Sequence, residues 1–151
     1  MEAHVVSGAR RGSDGSIALA VEAQNTDYRV ASFTAGVARL AGANAVRFPS
    51  PLYCMLNNKA NNDLHERFAQ NVDVGIMIFE QAWCYPSFAG MDPDPVGRLL
   101  EIPSVVAMKQ VGLYTLPDVF TMLDRYHDCL AYIDTSDGYT MTVCLGYTLG
   151  N

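Results

Sequence analysis

Short apolar runs recur along this chain at a nearly constant interval, and that interval limits the available folds more than any other feature. The runs start at Ile17 ("IALAV"), Asn44 ("NAVRFP"), Asp73 ("DVGIMIF"), Ser104 ("SVVAMKQ") and Leu130 ("LAYID"), each 26 to 31 residues after the one before. They are nearly continuous rather than alternating, as strands buried on both faces are. A strand–helix unit of about 28 residues, repeated, builds a parallel sheet covered by helices. Two architectures fit. Five units in 151 residues suit an open doubly wound sheet of flavodoxin type. The same unit repeated eight times closes a (β/α)8 TIM barrel of about 225 residues, of which this chain would be a single partial domain over residues 1–151. No G-x-G-x-x-G or Walker-type phosphate loop follows the first run, so the open sheet carries no ligand signature.

Helical patterns fill the intervals. Val30, Phe33, Val37 and Leu40 recur at near 3.6 spacing and are expected to form the buried face of the first helix. The second is expected to start near Asn62 as N-cap, with Leu64, Phe68 and Val72 on one face. "DPDPVGRLLE" places prolines in a first helical turn before Val96, Leu99 and Leu100. A further helix is expected from Thr115, with Leu116, Phe120 and Leu123 inward.

Composition narrows the function. A formal charge of −6 and a pI near 4.8 argue against nucleic acid or an anionic membrane as the main partner. No apolar run reaches the roughly 18 residues of a spanning helix, and the first residues lack signal-peptide order, so a cytoplasmic location is expected. Cys54, Cys84, Cys129 and Cys144 form no CxxC pair, and His4, His65 and His127 do not cluster with them. Reduced core cysteines are expected rather than a zinc site, and His65 and His127 are expected at the surface.

One residue resists the apolar pattern. In "IPSVVAMKQVG", Lys109 ends a run of Val105, Val106, Ala107 and Met108. Alternation puts Val105, Ala107, Lys109 and Val111 on one face, and Val106, Met108 and Gln110 on the other. Lys109 lies at the C-terminal end of its strand, where α/β folds place catalytic groups. Burial disfavours an ammonium, and a neutral amine can attack a ketone to form a Schiff base. Pattern alone leaves a second reading open, in which the side chain snorkels to the strand end or pairs with a carboxylate.

"LAGANAVRFPSPLY" followed by "IPSVVAMKQ" resembles the dihydrodipicolinate synthase / N-acetylneuraminate lyase family, whose members read AGADAV-(apolar)-TPYY, a strand ending YN-x-P, and then IPN-(I/V)-V-G-(I/V)-K-(D/E). "EAQNTDYRVASFTAGVARLAGANAV" is similar to the family's Gly-rich turn, Asn-Ser/Thr start and third helix, and "AYIDTSDG" to its seventh strand. The resemblance is colinear over about 130 residues. It implies a (β/α)8 barrel and class I aldolase chemistry on pyruvate or another 2-keto acid, with no metal or organic cofactor and with self-association into homo-oligomers. Lys109 matches the Schiff-base lysine of the sixth strand. Tyr53 matches the second tyrosine of the TPYY turn, part of a proton relay, with Leu52 in place of the first. Gly112 matches a small residue after the lysine strand.

The departures bear on activity. Phe79 stands where the family has the strand-five tyrosine that shuttles protons, and losing such a group costs about 10²- to 10⁴-fold. Glu80, next to it, could supply an acid–base group if the strand end turned it inward, and Phe79, Glu80 and Gly112 are candidate substrate-lining positions. Trp83 and Tyr85 could line the pocket mouth, and Asp134 and Asp137 could be active-face groups or solvated turn residues. The first two barrel strands, with the Gly-Thr-Thr turn that binds the keto-acid carboxylate, and the eighth strand have no counterpart, so the resemblance implies a fragment or a rearranged barrel. Two functions are open on these grounds: a lyase working as part of a complete barrel, and a non-catalytic remnant with at most weak keto-acid binding. The third alternative is an open-sheet binding protein.

Overall fold

The computed structural model describes residues 7, 18–49, 56–81, 93–111, 121, 124–126, 128 and 131–134. Five strands run in order β1 (Ala20–Glu22), β2 (Ala45–Pro49), β3 (Gly75–Gln81), β4 (Val105–Val111) and β5 (Ala131–Asp134). All pair in parallel, and the sheet order is the chain order, β1-β2-β3-β4-β5. Three helices fill the first intervals: α1 (Tyr28–Leu40), α2 (Asn58–Ala69) and α3 (Pro93–Leu100).

The strand order separates the two architectures. A doubly wound sheet must reverse direction at a switch point, which sends helices to both faces. Here the order never reverses, so right-handed crossovers leave the described helices on one face. Consistent with this, α1 packs against α2 and α2 against α3. The open doubly wound alternative is thereby excluded.

Local chemistry sets the element ends. The Asp27 carboxylate caps α1 by accepting from the Arg29 backbone N–H at 2.9 Å. Arg29 also pairs with it at 2.6 Å, and that guanidinium holds the Asp27 carboxyl down at about 2. At the other end Gly42 takes φ 102°, which only glycine adopts without strain. The Ala43 N–H then returns to the Ala38 carbonyl at 3.0 Å and turns the chain into β2. α2 starts earlier than expected: Asn57, not Asn62, is its N-cap, its side chain accepting from Ala60 N–H at 2.9 Å. Asn62 lies inside the helix and is buried. Pro93 and Pro95 occupy the first turn of α3, where a missing N–H costs nothing.

The core lies between the helices and the sheet, built from Val46, Phe48, Ile76, Ile78, Val105 and Met108 against Phe68 and Leu99. Phe48 stacks on Phe68 with ring centroids 3.9 Å apart. Two expectations fail here. The sheet-facing side of α1 is Ala31, Ala35 and Ala38, while Val30, Phe33 and Leu40 are exposed; alanine lets the helix sit close to the sheet, which larger side chains would prevent. His65 is a core residue, not a surface one. It is 1% exposed, meets the Phe48 ring edge-on, and donates from Nδ1 to the Asn61 carbonyl at 2.9 Å. Burial pushes its pKa below the ordinary value. The cysteines, His4, His127 and the expected helix face of Leu116, Phe120 and Leu123 lie outside the described residues.

Candidate active site

The second face of the sheet, opposite the helices, holds the unusual chemistry. Strict alternation in β4 breaks at its start. Ile76 pairs with Val105 and Met77 with Ala107, which leaves Val106 as an extra residue. Val105 therefore joins the helix-side core with Met108, correcting the expected facing, while Val106 is 45% exposed and approaches Gly75. Beyond the bulge the pleat resumes, with Phe79 paired to Lys109. Neither is part of the helix-side cluster.

Phe79 is 4% exposed, and two cations lie against its ring. The Lys109 Nζ is 4.9 Å from the ring centroid and the Arg47 Cζ 4.2 Å from it. Each is within range of the attraction between a cation and an aromatic face. Arg47 comes from β2, where it pairs across with Glu22 of β1 both in register and through an Arg47–Glu22 ion pair. The Arg47 side chain is 23% exposed and that of Glu22 36%. Glu22 and Arg47 are register partners, as are Phe79 and Lys109, while Arg47, whose own partner on β3 is Met77, reaches diagonally to the Phe79 ring. Glu22–Arg47–Phe79–Lys109 thus form one row that sets an amine and a guanidinium on one ring, with a carboxylate behind the guanidinium. Such a row offers a nucleophile and an anion-binding group on the same surface.

Lys109 is where sequence reasoning places it: near the C-terminal end of β4, partly buried, on the face away from the helices. Phe79 is beside it. Glu80 lies one position along β3, paired to Gln110, and its side chain is outside the described residues, as are Tyr53, Gly112, Trp83, Tyr85 and Asp137. Asp134 closes β5. Arg47 and Glu22 were missed. The signal was present: in "NAVRFP" an arginine interrupts an apolar strand as Lys109 does in "VVAMKQ". Among the described residues, no group of three or more His, Cys, Asp or Glu side chains could hold a metal ion.

No protein-family model and no curated protein matches the chain. Solved structures do. It is similar to a dihydrodipicolinate synthase from Acinetobacter baumannii complexed with pyruvate, with a TM-score of 0.84 at 18% identity over 95% of this chain. A dihydrodipicolinate synthase from Bacteroides thetaiotaomicron gives 0.81 at 15% identity over 96%. The fold is part of a (β/α)8 barrel. An N-acetylneuraminate lyase from Mycoplasma synoviae follows the same barrel path, with 0.75 at 20% identity over 99% of this chain. The chain spans about half the length of these barrels, 48%, 49% and 48% respectively. In the barrel, the helix-covered face is the outside, and the Glu22–Arg47–Phe79–Lys109 row faces the lumen.

Proposed function

We propose that this chain is the lysine-bearing portion of a Schiff-base-forming lyase of the dihydrodipicolinate synthase / N-acetylneuraminate lyase kind, acting on pyruvate or another 2-keto acid. The observation that carries the reading is the place of Lys109: at a strand's C-terminal end, on the face away from the helices, its amine against the Phe79 ring. The Lys109 amine attacks the ketone carbon, and loss of water leaves an imine. That imine, once protonated, draws electrons from the neighbouring C–C or C–H bond and so permits aldol cleavage, condensation or dehydration. A 2-keto acid also brings a carboxylate, and Arg47, on the same ring as Lys109, is the guanidinium suited to receive it by displacing part of its bond to Glu22. Tyr53 would relay protons, and Glu80 and Gly112 would border the substrate. Phe79 cannot carry a proton, so this reading expects slow chemistry. Self-association and a cytoplasmic setting belong to the same reading; no helix among the described residues is long and apolar enough to cross a membrane.

Borohydride reduction in the presence of pyruvate tests this directly. Mass spectrometry should find the reduced pyruvate adduct on the Lys109 peptide, lost in Lys109→Arg. An unmodified Lys109, in this chain and in one supplemented with the remaining barrel strands, would reduce the reading to a non-catalytic barrel portion.

A further inference from the structure

The charges on the lumen face do not balance, and the imbalance limits the charge a ligand can bring. Glu22 and Arg47 form an ion pair, so this guanidinium meets its counter-charge inside the protein. Lys109 has the Phe79 ring beside it at 4.9 Å, and no ion pair joins it to a carboxylate among the described residues. The register lines of these residues add no further charge. Met77, Ala107 and Ala131 continue the line of Glu22 and Arg47, and Ile133 continues that of Phe79 and Lys109. Two cations and one carboxylate leave a single positive charge. The count is the same once the amine has condensed, because a protonated imine keeps the charge. We propose, resting on the keto-acid site described above, that Glu22 is a specificity-determining residue: it restricts the lumen to 2-keto acids with one negative charge and excludes 2-keto diacids.

The single carboxylate of a monoacid shares the Arg47 guanidinium with Glu22 and balances Lys109. Phe79 takes only the face of that guanidinium, and the N–H donors around its rim can serve two carboxylates at once. A second carboxylate on the ligand finds no third cation on either register line. Glu22 repels it from the end of the row, where register pairing and the ion pair hold the carboxylate to the sheet. Sites commonly reject a close analogue in this way, by leaving its extra charge uncompensated. Glutamine in place of Glu22 keeps the shape and an acceptor for Arg47 but removes the charge. The row then carries two uncompensated cations, the match for a dianion.

Calorimetric titration with pyruvate and with 2-oxoglutarate, read beside borohydride trapping of each on Lys109, tests this in the chain alone and in one supplemented with the remaining barrel strands. The wild type should bind pyruvate more tightly than 2-oxoglutarate. Glu22→Gln should shift the ratio of the two affinities toward 2-oxoglutarate by about tenfold or more. Asp63→Asn, which removes the carboxylate of the exposed Lys59–Asp63 pair on α2, should leave the ratio unchanged and so control for the loss of one negative charge. If Glu22→Gln fails to fold, Glu22→Ala reads the same ratio. A ratio indifferent to Glu22, a wild type that binds the diacid as tightly as pyruvate, or binding of neither acid overturns the inference. A shifted ratio with no adduct on Lys109 upholds it and overturns the Schiff-base chemistry alone.

Discussion

In the proposed lyase, Phe79 is the residue on which the chemistry would turn. Its ring gathers Lys109 and Arg47 but offers no proton, so Phe79→Tyr should raise the rate of imine formation with pyruvate by about 10²- to 10⁴-fold, read by stopped-flow absorbance or timed borohydride quenching. Arg47→Gln should raise the keto-acid KM while leaving the rate at saturation largely unchanged, because it removes an anchor and not a proton carrier. Its stability cost should stay within about 1 kcal/mol, since the Arg47–Glu22 pair is partly solvated. His65 makes a prediction of a different kind. Burial lowers its pKa below 6.5, so the unfolded chain takes up a proton that the folded chain refuses. Stability is therefore full above about pH 6.5 and declines as pH falls below it, by up to about 1.4 kcal/mol per pH unit. Urea melts on either side of pH 6.5 should show the decline in wild type and a flatter profile in His65→Gln. The Asp27 carboxyl contributes its own window, from 3.8 down to about 2.

Elements were legible to the extent that their pattern used large side chains. All five strands fall within a few residues of the apolar runs, because continuous Val, Ile and Met stretches are hard to place anywhere but a covered sheet. The face of α1 was misread for a physical reason. Reading by bulk picks Val30, Phe33, Val37 and Leu40, whereas the sheet selects the small side chains that allow close approach. His65 was misread because Asn61, Asn62 and Glu66 around it make the segment look solvated, although Asn61 and Asn62 are themselves buried. The bulge at Val106 leaves no trace in the sequence, since an extra valine among valines changes no pattern. At the start of α2, Asn57→Ala should cost about 1 kcal/mol in chemical denaturation by removing the bond to the Ala60 N–H.

For the whole molecule, the interval between runs was enough to fix a parallel sheet, and the order of strands was needed to choose between the barrel and the doubly wound sheet. Order is a long-range property that local spacing does not encode, and the family resemblance of the lysine strand supplied what spacing lacked. Among the described residues β1 and β5 each pair on one side only. Hydrogen exchange should accordingly be slowest in β2, β3 and β4, whose strands are paired on both sides around the Phe48–Phe68 stack, and fastest in β1 and β5. Mass-resolved exchange that protects the edges as well as the centre would mean that further strands or a second chain cover them. The consecutive pairing has one more effect. Since no described strand is inserted between two earlier ones, each pairs only with those just before and after it, and units can be gained or lost at either end without rewiring those that remain. A sheet assembled this way can shrink or grow over evolutionary time while the strand that carries the amine keeps both of its neighbours.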